Sequence, residues 1–242
     1  MMRLPVVEGV IRRRVLVNFR VDAEVMRRQL PARFTPKLQA GYAVAGICLI
    51  RLEEVRPKAL PRAFGVSSEN VAHRVAVRWT DDDGAARESV YIPRRDTGSR
   101  LNHLAGGRLF PGEHHLASFT VGDDEESISI SVRSRDSSVA VEIAGRAAES
   151  LPPTSIFKTL AEASAFFEAG SLGYSVTSEA GRLDGLVLAT KEWRVQPLEL
   201  HKVHSSYFAD ESKFPKGSVE FDHALVMRDV AHEWHAARRM YV

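Results

Sequence analysis

The chain has 242 residues, 44% hydrophobic and 26% charged, a globular composition rather than a disordered or fibrous one. Its net charge of +2 comes with no basic cluster beyond Arg12-Arg13-Arg14, so nucleic acid is not an expected partner. The single cysteine, Cys48, lies in an apolar run; it excludes an internal disulfide and reads as a buried, inert thiol. No stretch approaches the roughly 18 apolar residues of a membrane span, and no apolar leader opens the chain, so a cytoplasmic protein without a membrane partner is expected.

Along the chain most of the signal has period two. Ile11, Val15, Val17, Phe19 and Val21 share one parity, which predicts a strand over 10–21; Asp22 then caps a short helix over 23–30 that Pro31 stops. Residues 42–52 are apolar on both parities and predict a strand buried on both faces, followed by a long loop over 53–69. A hairpin follows, 70–79 returning as 86–92 through Asp81-Asp82-Asp83-Gly84. A short helix capped by Ser99 is predicted over 99–105, ending at Gly106-Gly107. Further strands are predicted at 114–121, 127–133 and 138–144. The main helix is predicted over 155–168, with Thr154 or Ser155 as its cap and Ile156, Leu160, Ala163 and Phe167 on one face. Strands at 185–195, 197–204 and 218–228 complete a single domain over 1–242. About nine strands and one main helix predict a β-rich α+β barrel or sandwich, and the two-faced strand favours a barrel.

Tyr91-Ile92-Pro93-Arg94-Arg95 follows a strand and leads into a short helix, and it resembles the Pro-Lys-Lys element of acetoacetate decarboxylases. The stretch from Arg20-Val21-Asp22 through Leu30-Pro31, with Phe34 and residues 42–52, resembles the opening of the DUF2071 family. The resemblance runs over most of the chain and implies the decarboxylase-like β-cone barrel. In that superfamily the first lysine forms a Schiff base and the second depresses its pKa. Both positions here are arginine, which cannot deprotonate or form an imine, so the resemblance implies the fold without that reaction. No lysine lies between 59 and 157; Lys191, in parity with Trp193, is the one weighed as a substitute.

Glu88 alternates with Val90 and Ile92, so a carboxylate is expected either on a buried face or reaching solvent at the strand end. Arg94 continues that parity, and a Glu88–Arg94 pair lining a pocket is expected unless the chain bends at Pro93. With Arg95 and Ser99, Arg94 is a candidate ligand-binding residue, since arginine forks and helix-opening N–H groups suit a carboxylate or phosphate. His73, His115 and His223 interrupt apolar strand faces. They are either separate hydrogen-bonded histidines or a converging acid–base set, and Glu88, His73 and His115 are the catalytic candidates. His201-x-x-His204 would diverge on a strand, and His232-x-x-His235 is placed on a solvated helical turn. No His-Glu-x-x-His, Gly-x-Gly-x-x-Gly or Walker loop occurs, so no metal and no cofactor are expected.

Two function classes fit. One is an enzyme acting on a small carboxylated or carbonyl compound without imine decarboxylation. The other is a non-catalytic module that binds or senses a small molecule. In both the partner is a small-molecule ligand, and a homo-oligomer is compatible with either.

Overall fold

The structure, a computed structural model, describes residues 5–106, 111–124 and 126–242. Its helices are α1 (Ala23–Gln29), α2 (Arg100–Ala105) and α3 (Leu160–Glu168). Its strands are β1 (Val7–Val21), β2 (Thr35–Pro36), β3 (Leu38–Gln39), β4 (Tyr42–Pro57), β5 (Val66–Thr80), β6 (Ala86–Thr97), β7 (His115–Asp123), β8 (Ser127–Ser134), β9 (Ala140–Ala147), β10 (Leu172–Val176), β11 (Arg182–Thr190), β12 (Gln196–Ser205) and β13 (Val219–Tyr241).

The pairings close the sheet on itself twice. In the first ring β13, β1, β4, β5, β6, β10 and β11 follow one another and β11 returns to β13. In the second, β6 continues through β7, β8, β9 and β12 to the front half of β13, then back along β1, β4 and β5. The strands β1, β4, β5 and β6 therefore form a wall common to both rings. Each alternates side chains between two interiors.

One interior holds Val15, Val17, Ile47, Leu49, Val75 and the inward faces of β8 and β9. The other holds Leu16, Cys48, Leu52, Ala72, Ala76 and Ile92 with Phe157, Ala163 and Phe167 from the α3 region. The two-parity hydrophobicity of β4 is thus the signature of the shared wall. This is the β-rich α+β barrel expected, with more strands than were predicted.

Several elements differ from their predicted limits; the strand predicted at 185–195, for one, is Arg182–Thr190. The loop over 53–69 is the end of β4, a single turn at Arg62–Phe64 and the start of β5. The main helix begins at Leu160, because Asp222 captures Ser155 Oγ (2.7 Å) and Ile156 N (2.9 Å) and holds that stretch off the helix. Thr159 is the cap, its Oγ1 accepting from Glu162 N at 3.1 Å. The predicted strand at 218–228 runs on to Tyr241, so His232 and His235 lie on β13 and not on a helical turn. β10, which joins β6 to β11, was not predicted. Gly107, in the predicted helix end, lies outside the described residues. Among the described residues no helix is long and apolar enough to cross a membrane.

Candidate functional site

The first ring encloses a cavity of about 160 Å³, bordered by β1, β4, β5, β6, β10, β11 and β13 and covered by Phe166 and Phe167 of α3. At roughly 30 Å³ per water, this is room for about five waters or a metabolite of comparable bulk. Most of the wall is apolar, including Ile50, Val90, Ile92 and Leu188.

Three arginines break that wall. Arg14 donates Nε to Cys48 Sγ at 3.4 Å, its guanidinium lying over the Trp193 ring. Arg74 lies over the Phe167 ring at 4.8 Å and donates to Asn18 Oδ1. Arg95 donates Nε to Ser175 Oγ at 2.9 Å. Among the described residues no carboxylate pairs with any of the three, while Arg14 Nη1 and Arg74 Nε are buried without any hydrogen-bond partner. Burial pulls the Arg74 and Arg95 guanidinium groups down to about 10, still charged at neutral pH.

Arg74 is aimed by a hydrogen-bonded chain that begins at the neutral Asn18 amide. Asn18 Nδ2 donates to His223 Nε2 at 3.0 Å, so His223 carries its proton on Nδ1 and donates it to Asp222 Oδ2 at 2.6 Å. Asn18 and His223 are fully buried, and a fixed amide must then present its oxygen to Arg74. Burial pushes the Asp222 carboxyl up, but hydrogen bonds from His223, Ser155 and the Ile156 N–H outweigh it and hold it below its usual range. The wall opens for this arrangement at Gly46. A Cβ there would lie 3.3 Å from Asn18 Oδ1 and 3.4 Å from Arg74 Nη2 and would collide with the Val17 carbonyl.

The candidates named from sequence divide between the two interiors. Glu88 borders the cavity, but its partners are Lys37 (2.5 Å) and Arg78 (3.0 Å), not Arg94. Burial raises its carboxyl, and these two cations more than offset that and keep it low. The expected Glu88–Arg94 pair fails because of a β-bulge. His73 and Val75 of β5 face Arg94 and Tyr91 of β6, so two steps on one strand span three on the other. Past Pro93 the parity is reversed, and Arg95 rather than Arg94 follows Glu88, Val90 and Ile92 into the cavity.

Arg94 turns away from the cavity and grips Asp96 (2.7 Å, fully buried) and Asp136 (2.8 Å). His115 stands 3.7 Å from Asp136, so these two candidates do meet, outside the cavity. Asp96 borders the cavity as well, with its carboxylate occupied by Arg94. His73 lies in the second interior against Tyr207 (4.5 Å), and burial lowers it to about 3. His223 packs on Phe157 and Phe167 in the first. The three histidines therefore do not converge. Ser99 Oγ accepts from Asn102 N and caps α2. Lys191 does not border the cavity; Lys37 does, between Glu88 and the Phe166 ring.

Sequence reasoning missed Arg14, Arg74, Lys37 and His114. The first two alternate with Val15 and Val75, on the more polar parity of β1 and β5, for which the sequence suggested no role. His114 borders the cavity, donates Nδ1–H to Gly112 O (3.1 Å) and is lowered to about 3 by burial and by the Arg95 charge. Among the described residues no group of three or more His, Cys, Asp or Glu is placed to hold a metal ion.

The fold is that of the acetoacetate decarboxylase-like proteins. Acetoacetate decarboxylase from Legionella pneumophila subsp. pneumophila str. Philadelphia 1 superposes with TM-score 0.59 at 11% identity, over 98% of this chain and 86% of that one. The enduracididine biosynthesis enzyme MppR, complexed with the condensation product of pyruvate and imidazole 4-carboxaldehyde, gives 0.62 at 13%, over 100% and 90%. An acetoacetate decarboxylase-like enzyme from Sphingomonas wittichii RW1 gives 0.59 at 10%, over 100% and 94%. The chain itself belongs to the DUF2071 family, described as "Uncharacterized conserved protein (COG2071)", whose profile matches residues 10–230. No curated protein matches it.

Proposed function

We propose that the chain binds a small carboxylate-bearing compound in the first-ring cavity, anchored by Arg14, Arg74 and Arg95. The carrying observation is three guanidinium groups on one apolar cavity with no acidic partner among the described residues. A buried cation is costly unless it meets an anion, as the neighbouring Arg78 and Arg94 do. The structures of MppR complexed with pyruvate and with HEPES buffer bound support a small-molecule site from the same fold.

Of the acid–base candidates named from sequence only Glu88 lines this cavity, beside Lys37, and this pair is the one that would serve if the bound compound is also transformed. Imine decarboxylation is not part of the proposal. Residues 94 and 95 are arginine, and Lys37 Nζ is engaged by Glu88 at 2.5 Å. Acetoacetate with borohydride is therefore expected to leave the protein mass unchanged, and a stoichiometric adduct on Lys37 would overturn this. The proposed partner remains a small molecule in a cytoplasmic setting, with no nucleic acid.

The binding test is a thermal-shift panel of short carboxylates against their amides. A carboxylate at 100-fold excess over its dissociation constant is expected to stabilise by about 2.7 kcal/mol, and its amide by far less. Equal response to both would sink the reading.

A further inference from the structure

We propose that the ligand carries two carboxylates and spans the cavity between two separate cationic ends. The inference rests on the carboxylate reading above and names its substrate class.

The strand register lays out the two ends. Asn18, Gly46 and Arg74 are level on β1, β4 and β5, and Leu16, Cys48, Ala72 and Arg95 are level on β1, β4, β5 and β6, two residues away. Arg74 reaches back across Gly46 to Asn18 on β1, so its guanidinium stands above β4. Arg14 arrives from the other side, opposite Ile50, and its Nε reaches Cys48, also on β4. These two cations form one locus over β4, close enough that the Arg14 charge helps lower Arg74. Arg95 runs in the opposite direction. From β6 it bonds Ser175 on β10, where its charge bears on His114. The loci are about two strand spacings apart, roughly 10 Å.

One carboxylate cannot contact both. It would satisfy one end and leave the other as a buried, unpaired cation. Two carboxylates satisfy both, and allowing about 3 Å for each charge-assisted contact leaves a span of about four to six carbons. The apolar wall between the ends, with Ile92 and Val90, suits a methylene chain, and the cavity volume admits no much larger body.

The test titrates the purified chain with succinate, glutarate and adipate, each against its monoamide and against the monocarboxylate of equal length. At least one diacid is expected to bind tenfold or more tightly than both controls. In Arg95→Met the diacid should lose its advantage and bind no more tightly than the monocarboxylate of equal length. A monocarboxylate binding as tightly as its diacid overturns the two-ended ligand and leaves the carboxylate reading standing. Failure of every acid overturns both. Because the controls are run on the unaltered chain, the result does not depend on the variant folding.

Discussion

The wall formed by β1, β4, β5 and β6 carries arginines toward both interiors, and the two sides treat them differently. On one side Arg94 closes a complete ionic group with Asp96 and Asp136, over a dry apolar core. On the other, Arg14, Arg74 and Arg95 face a cavity and, among the described residues, hold only neutral acceptors, Cys48, Asn18 and Ser175. The same residue type in neighbouring positions of one strand thus does two jobs. A compensated guanidinium fastens the fold; an uncompensated one, aimed by neutral partners, keeps its charge for something that arrives.

Replacing Arg94 by Ala tests the compensated side and carries the largest expected effect. It strands the Asp96 carboxylate in the interior, and chemical denaturation should show a loss of roughly 3–5 kcal/mol. Arg95→Met, one residue on, should change stability by no more than about 1 kcal/mol, or raise it, because it removes an unpaired charge. If the two variants lose stability equally, the contrast between the faces is wrong.

Asn18→Asp sharpens the uncompensated side without changing shape. A carboxylate at this position pairs with Arg74, at the loss of the Asn18 donor to His223, and diacid affinity should drop about 10- to 100-fold, or about 1.4–2.8 kcal/mol. Unchanged affinity would show that Arg74 is not an anchor.

His73 gives a pH signature of the dry interior. It is neutral when folded, with a value near 3, and takes up a proton near 6.5 once unfolded. The unfolded state then binds more protons between those values, so stability falls as pH drops from about 6.5 toward 3, by roughly 1 kcal/mol per unit. His73→Phe keeps the contact with Tyr207 and should remove that slope while leaving stability at pH 7 within about 1 kcal/mol. An identical acid profile in the variant would refute the assignment. The smallest effect belongs to the exposed Arg146–Glu199 pair at 2.9 Å, where Arg146→Ala should cost under about 1 kcal/mol in the same denaturation assay.

How much of this was legible depends on the face. The period-two strands, the hairpin and the double hydrophobicity of β4 were readable because local burial writes itself into alternation. The closure of the first ring was not, since pairing between β11 and β13 leaves no local mark. Only the more apolar parity of β1 and β5 stood out in the sequence, and Arg14 and Arg74 lie on the other, which is the cavity side. The bulge at Pro93 exchanged Arg94 for Arg95, and extrapolated parity cannot register an added residue. Lys37, in a segment that pairs only briefly, had no pattern to betray it.

The long strand β13 has a kinetic consequence. It pairs with β1 from Val7↔Trp234 to Val21↔Val219, contacts that join opposite ends of the sequence, and it closes both rings. Neither interior can be sealed before it docks. Until then β1 and β12 expose open edges able to recruit a second chain. Refolding should therefore be slow and sensitive to protein concentration, with aggregation competing against the arrival of this one strand.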